Sequence, residues 1–435
     1  MPRKLTTSSM ARMLRMSALA TQVSTSLAAG HALNFWLSDP IANARRSERF
    51  VRNAFRVSEA LGELKGAAMK VGQMLSTHEG FLPPEVCQVL QSLQRDAPPI
   101  PYHQMRTVLE QSLPQGLATF ASLTETPIAA ASIGQVYRGT LRDGRDVVVK
   151  VQYPGIDKVI RADLNTLKKL FGSLLEMFTE IAFEPLWEEL RERLLEELDY
   201  HQEAQNISRM RAQYEGDPQI MIPAVLSELS NERVLVMEFM PGIPPQQASS
   251  TRYEQPLRDH WGAGLMRFTM QGLLTHRFLH ADPNFGNFAF REDGRLIVYD
   301  YGCVKAVPEH IATGCAAVLQ AALQQDLDAI PARLKELGIW DRGRRAPVTR
   351  AVIDPLAAQV LRIVNGTPYG FSADDDLYRI LLDRNGQYLT ELTRLELPAE
   401  LMFVNRTLSG LYGNLCQLRA TGNWREVLSP LAANG

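Results

Sequence analysis

The sequence predicts an α+β fold: a small lobe built on an antiparallel sheet, followed by a larger helical lobe. Three observations predict it. Two β-rich hairpin patterns, Ile128 to Val151 and Phe278 to Gly302, each turn on an Asp-Gly pair, Asp143-Gly144 and Asp293-Gly294. Runs with apolar residues at helical spacing accompany them, including Arg46 to Thr77 and Phe183 to Tyr214. Residues 308 to 430 then alternate apolar helical runs with breaks at Pro331, Gly338, Pro347, Pro355, Pro368 and Pro398.

Composition narrows the function classes. At 435 residues the chain exceeds one simple core, and two or three structural units are expected. With 45% hydrophobic and 22% charged residues it is an ordinary globular sequence, neither disordered nor fibrous. Lys and Arg total 46 against 48 acids, a formal net charge of -2, which argues against a generic nucleic-acid binder. The cysteines Cys87, Cys303, Cys315 and Cys416 form no CxxC pair, so neither a disulfide framework nor a zinc site is expected. A reducing interior follows. No run of about eighteen apolar residues occurs, so any membrane contact is expected to be peripheral. Residues 1 to 38 carry Arg3, Lys4, Arg12 and Arg15 but no Asp or Glu. That composition fits an organellar transit peptide, a short amphipathic helix on an anionic membrane surface, or a frayed or partner-docked terminus.

In chain order the sequence reads as a basic arm (1–45), a helical extension (46–122), a small lobe with inserted helices (123–241) and a helical lobe (242–435). Phe50, Phe55, Val57, Leu61, Leu64, Ala68, Val71 and Leu75 give the first helix its apolar stripe. Near its end, Lys70 and Gln73 set a cation and a carboxamide beside Gly72, where a backbone or ligand can approach closely. Pro83-Pro84 opens another helix, Pro98 to Pro101 form a stiff connector, and residues 102 to 121 predict a further helix interrupted by Pro114 and Gly116.

The segment Ala129, Ala130, Ala131, Ser132, Ile133, Gly134, Gln135, Val136 predicts a small-residue loop before a strand. Small side chains let backbone amides approach phosphate, while alanine lacks glycine's freedom at positive φ and stiffens the loop. Lys150 then sits on an apolar strand, where burial is costly unless the ammonium meets an anion. The helix expected over Phe183 to Tyr214 carries Glu196, Glu197, Asp199 and Glu203. Read as one helix, Asp199 and Glu203 share a face and Glu197 points elsewhere; one of these acids is expected to pair with Lys150, and Glu203 is favoured. Ile220 to Val225 and Arg233 to Met240 predict short strands, with a hinge at Pro241-Gly242, and a helix follows Gln255-Pro256.

The chemistry concentrates between Phe278 and Gly302. Asp282 and Asn287 lie five residues apart in a loop broken by Pro283 and Gly286, and Asp300 follows the second hairpin. Carboxylate and amide oxygens at this spacing are hard ligands for magnesium, and a carboxylate beside them can position an attacking hydroxyl or water. The protein-kinase pattern is similar: a catalytic-loop Asp, an Asn five residues on, and a metal-binding Asp before a Gly. Here the last triplet is Asp300-Tyr301-Gly302, with Tyr in place of Phe.

The ordered set Lys70-x-Gly72-Gln73, AAASIGQV from Ala129, VVVK ending at Lys150, Glu197-x-Asp199 with Glu203, HADPNFGN from His280, and DYG from Asp300 resembles the UbiB/AarF family of atypical kinase-like proteins. The resemblance spans about residues 60 to 305 and implies a two-lobed kinase-like fold that binds ATP or ADP with magnesium. It implies that Lys150 holds the α/β-phosphates and pairs with Glu203, that Asp282 is the catalytic carboxylate, and that Asn287 and Asp300 bind the metal. Ala129 to Val136 would cover the nucleotide, with Glu238 and Met240 also in the cofactor-binding set. Lys70, Gly72, Gln73, Glu197 and Asp199 would form the family's inserted polar cluster, with the extension packed where a peptide substrate would otherwise dock. The Arg of the protein-kinase HRD motif is replaced in His280-Ala281-Asp282, so regulation through a phosphorylated activation loop is not expected. Carboxy-terminal hydrophobic helices of the kind some bacterial members carry are absent, which disfavours a constitutive membrane anchor.

The function implied is an ATPase or small-molecule kinase supporting prenyl-quinone (ubiquinone) biosynthesis or lipid homeostasis. Expected partners are a nucleotide, a lipid-like or quinone-precursor molecule, a peripheral membrane surface and other quinone-biosynthesis proteins, with no nucleic acid. The expected location is cytoplasmic, peripheral at a bacterial inner membrane, with the mitochondrial matrix as the alternative. A nucleotide-sensing scaffold without phosphoryl transfer, or a protein kinase, are the competing readings.

Overall fold

Leu113 precedes Pro114, and that order decides where the first described helix stops. A computed structural model describes residues 100–341, 346–372 and 395–433, apart from 132, 159, 162–163, 165–167 and 169–182. The basic arm, the helix over 46–77 with Lys70, Gly72 and Gln73, and Ser132 lie outside the described residues. Helix α1 (Tyr102–Ser112) ends as Leu113 turns extended, the conformation that a following proline imposes. The expected helix to residue 121 is thereby cut short: Gly116 takes a φ of 53°, one 3-10 turn follows, and strand β1 (Phe120–Leu123) begins.

Strands β2 (Ala129–Ala131), β3 (Gly134–Leu141) and β4 (Asp146–Gln152) follow. The β3–β4 turn carries Asp143-Gly144, with Gly144 at a φ of 89° as such a turn requires. Helices α2 (Phe183–Glu196) and α3 (Tyr200–Gln213) come next, then β5 (Ile220–Met221) and β6 (Val234–Glu238). The sheet runs β1-β3-β4-β6, every pair antiparallel, with β2 also paired to β3. Along β4 the side-chain period of two sends Val147, Val149 and Val151 into a core with Met105, Val108 and Leu109 of α1 and Tyr137, Val234 and Val236 of the neighbouring strands. Each such residue, fully buried, contributes roughly 1.5–3 kcal/mol. Val148, Lys150 and Gln152 consequently share the other face.

The single helix expected over Phe183 to Tyr214 is two helices. The break falls at residues 197–199, because Asp199 caps α3: its Oδ1 accepts the amides of His201 at 2.9 Å and Gln202 at 3.4 Å. A capping aspartate is non-helical, so Asp199 and Glu203 do not lie one turn apart on a helix face. Gln152 Nε2 pins the same break to the sheet, donating to the carbonyls of Leu198 (2.7 Å) and Glu232 (2.9 Å).

The chain divides into two compact units, one running to Gln202 and including Leu226–Glu238, the other comprising Glu203–Val225 and the chain from Phe239 onward. In the second unit, helix α4 (Gln255–Leu274) buries Trp261, Leu265, Phe268 and Leu273 and has buried residues around most of its circumference. Strands β7 (Phe278–His280), β8 (Phe288–Phe290), β9 (Leu296–Val298) and β10 (Val304–Ala306) follow it. Helices α5 (Glu309–Leu323), α6 (Ile330–Glu336), α7 (Arg350–Val364), α8 (Ala399–Leu418) and α9 (Trp424–Ala433) follow, with short two-residue strands between them. Helix α4 packs against α8 and α9. Pro331 and Pro355 are not breaks: the first lies in the opening turn of α6, and the second lies inside α7, whose Val352, Ala357 and Val364 are buried. At Pro331 the missing N–H is one the helix would leave unpaired anyway, while at Pro355 tertiary burial overrides the local cost.

Candidate active site

In the first unit, Ala129–Ala131 form a strand rather than a loop, paired Ala129 to Val136, Ala130 to Gln135 and Ala131 to Gly134. Extended backbone asks for no positive φ, which explains why alanine suffices where glycine would serve a free loop. Gly134 is required for a different reason. A Cβ there would overlap the carbonyl oxygen of Val151 and come within 2.8 Å of the Tyr200 hydroxyl. Gln135 is fully buried and its Oε1 accepts the Tyr137 hydroxyl at 2.7 Å. Lys150 is 8% exposed on the central strand, opposite Val136 and Leu235, with its Nζ 5.1 Å from the centroid of the Tyr200 ring. The ring's negative face offsets part of the cost of burying the ammonium. Glu197 and Asp199 lie at the break before α3, and Glu238 ends β6.

In the second unit, two pairings assemble the loop. Strands β7 and β10 are antiparallel with His280 opposite Val304, and the Ala281 amide donates to the Cys303 carbonyl at 2.8 Å, so the chain entering Asp282 runs beside the chain leaving Gly302. The β8–β9 hairpin sets Phe288 opposite Val298, and the Tyr299 amide donates to the Asn287 carbonyl at 2.9 Å. Residues 22 apart in sequence, Ala281 and Cys303, and 12 apart, Asn287 and Tyr299, thus become hydrogen-bonded neighbours. Asn287 Nδ2 donates to Asp282 Oδ2 at 2.9 Å and to the Asp282 carbonyl at 3.3 Å, so the acceptor it can offer a ligand is its Oδ1. Asp300 Oδ1 accepts the Gly302 amide at 3.0 Å. Both Asp282 and Asp300 are half-buried, and Asn287 is buried.

Three residues hold the Asp300-Tyr301-Gly302 turn. His280, 4% exposed, directs Nε2 at the Asp300 carbonyl; because a carbonyl only accepts, the ring donates from Nε2, and Nδ1 has no partner among the described residues. Glu203 Oε1 accepts the Tyr301 amide at 3.4 Å, and Asn206 Nδ2 donates to the Tyr301 carbonyl at 3.1 Å. Tyr301 itself is fully buried; burial pushes its hydroxyl well above the usual range, so it stays a neutral donor to the Val298 carbonyl at 3.1 Å. Asn206 escaped the sequence reading. Its signal was the spacing from Glu203, three residues on along one helix face. Met240, expected near the nucleotide, packs its side chain with Ala289 and Ile297, and its carbonyl accepts the Tyr299 hydroxyl at 2.7 Å.

Among the described residues no three His, Cys, Asp or Glu side chains cluster to hold a metal. The oxygens of Asp282, Asn287 and Asp300 nonetheless suit magnesium, which commonly takes one or two carboxylates and completes its shell with water and phosphate oxygens.

A sheet-bearing unit with a buried strand lysine, and a helical unit presenting an Asp-Asn-Asp loop, define a kinase-like protein. Residues 92–334 match the ABC1 atypical kinase-like domain, and the chain belongs to that family, the UbiB/AarF family. It is 34% identical over 288 residues to the mitochondrial atypical kinase COQ8B of Rattus norvegicus, covering 66% of this chain and 54% of the relative. It is 27% identical over 384 residues to the mitochondrial atypical kinase coq-8 of Caenorhabditis elegans, covering 85% and 49%. The chain therefore spans about half the length of these curated relatives. Among solved structures it is similar to Rv3197 of Mycobacterium tuberculosis in complex with erythromycin, at 29% identity and a TM-score of 0.63, covering 91% of this chain and 98% of that one. The α+β kinase-like fold read from the sequence is the fold of the molecule.

Proposed function

We propose that this chain binds magnesium with ATP or ADP and acts as an ATPase or small-molecule phosphotransferase in prenyl-quinone biosynthesis or lipid homeostasis. The observation that carries the reading is the second-unit loop, where Asn287 binds the Asp282 carboxylate and the β8–β9 hairpin delivers Asp300 on a turn held by its own neighbours. In this reading Lys150 meets the α/β-phosphates, Asn287 and Asp300 supply metal ligands, and Asp282 orients the attacking water or hydroxyl and takes its proton. The metal neutralises charge on the phosphates when bound. The names of the COQ8 relatives support the quinone assignment, and with it a mitochondrial setting.

A protein-kinase reading is less well supported. Between Gly302 and the start of α5 at Glu309 lie only residues 303–308, half of them in β10, which leaves no room for a long substrate-binding segment. No described helix is long and apolar enough to cross a membrane. Peripheral contact by the acid-free arm is therefore tested by deleting residues 1 to 38 and measuring liposome flotation; unchanged flotation removes the arm from the reading.

The test of activity is hydrolysis of magnesium-ATP with and without anionic liposomes and a phenolic quinone-precursor mimic. Asp300→Asn should abolish turnover, and undiminished hydrolysis in that variant would overturn the assignment. Nucleotide binding without hydrolysis under any of these conditions would favour a nucleotide-sensing scaffold.

A further inference from the structure

Helix α8 lies outside every motif in the sequence, yet it touches the backbone on both sides of Asp282. Arg406 Nη2 donates to the Ala281 carbonyl at 2.6 Å and lies 3.7 Å from the Cys303 sulfur. One turn later, Gly410 meets Pro283 so closely that a Cβ on the glycine would overlap the proline ring. One turn later again, Asn414, 5% exposed, donates Nδ2 to the Pro283 carbonyl at 3.0 Å. Residues 406, 410 and 414 follow one another at i, i+4 and i+8, a single stripe about 12 Å long on the helix.

With Asn287 on the Asp282 carbonyl, three consecutive loop carbonyls, those of Ala281, Asp282 and Pro283, are each held by a side-chain donor. Buried or half-buried carbonyls must find such donors, and here two of the three come from one rigid helix. We propose that the Arg406–Gly410–Asn414 stripe of α8 is a positioning element for the reaction, fixing the backbone on either side of Asp282 so that its carboxylate is held in register with Asn287 and Asp300. The inference rests on reading Asp282 as the catalytic carboxylate. Displacing a reacting group by about an ångström can cost on the order of a hundredfold in rate, so the stripe acts on kcat rather than on nucleotide affinity.

The experiment uses the full chain, with variants Arg406→Ala, Arg406→Lys, Asn414→Ala and Gly410→Ala, and Asn405→Ala on the exposed side of α8 as control. Steady-state magnesium-ATP hydrolysis and native-state amide hydrogen exchange are measured on each. The expected result is a fall in kcat of about 10- to 100-fold for Arg406→Ala, Asn414→Ala and Gly410→Ala, with KM for nucleotide within about threefold. Arg406→Lys should recover part of the loss, and Asn405→Ala should match the wild type. Exchange should quicken in residues 281–287 while the β3–β4 amides keep their protection. Unchanged kcat and unchanged exchange in the alanine variants would overturn the proposal, as would a uniform loss of protection across the chain, which would mark the stripe as ordinary packing. If the wild type turns over no nucleotide, the proposed function fails, and the exchange pattern alone still decides whether α8 holds the loop.

Discussion

Gly134 shows how a single residue can be required by space rather than by torsion. Its φ is not positive, yet the Val151 carbonyl and Tyr200 hydroxyl occupy the volume a side chain would need. Gly134→Ala should cost about 1–3 kcal/mol by overpacking, read as a lower urea midpoint at unchanged slope. The same ring sits against Lys150. Tyr200→Phe keeps the aromatic face and should leave stability nearly unchanged, whereas Tyr200→Leu loses a cation–π contact worth roughly 0.5–2 kcal/mol, measured the same way. Lys150 was legible in the sequence because a lysine in VVVK must be explained; Tyr200 was not, because aromatic residues in acidic helices are common and only the fold brings this one over the strand.

At the scale of elements, helix α3 matters more than its acid-rich sequence suggests. Asp199 caps it, and from its first turns Glu203 and Asn206 hold both backbone groups of Tyr301. Asp199→Ala should cost about 1 kcal/mol through the lost cap, with Asp199→Ser or Asp199→Asn recovering most of it in denaturant titrations. The Asp-Gly hairpins and the helix over Gln255 to Leu274 were readable because turn chemistry and periodicity are local signals. The division of Phe183 to Tyr214 was not, since helix-forming residues continue through the break and the cap competes only once Gln152 and the β6 loop are in place. The small lobe's alanine segment was misread as a loop for a similar reason: strand β2 exists only through its pairing with β3.

At the scale of the molecule, one partly buried pair of groups in the second unit should contribute to acid sensitivity. Burial alone would raise the Asp217 carboxyl, but Arg267, with two contacts of 2.8 Å, and the amides of Gln219 and Ile220 outweigh it and hold the carboxyl below its ordinary value. Burial also holds the His276 imidazole below its ordinary value, against the pull of Asp217. Both folded pKa values lie below the unfolded ones, so the unfolded chain binds more protons and stability decreases as the pH is lowered. The histidine contribution is complete above about pH 6.5 and is lost first; the aspartate contribution is complete above about pH 4 and is lost below it. His276→Gln should flatten the upper part of the stability–pH curve, and Asp217→Ala should cost about 2–4 kcal/mol near neutral pH by leaving Arg267 without a carboxylate. Thermal denaturation across pH 3.5 to 8 checks both.

By itself the sequence determined the class of fold, the family, and the identity and order of the residues offered for chemistry, because those rest on local turns, periodicity and motif spacing. Only the tertiary structure decided what holds them. The β8–β9 register beside Asn287, the carbonyl under His280, the Tyr301 clasp from α3 and the stripe on α8 join residues up to 131 apart in sequence, Asn414 to Pro283 being the longest. No window of neighbouring residues contains such a pairing, since a backbone carbonyl leaves no trace in the sequence of the side chain that will meet it.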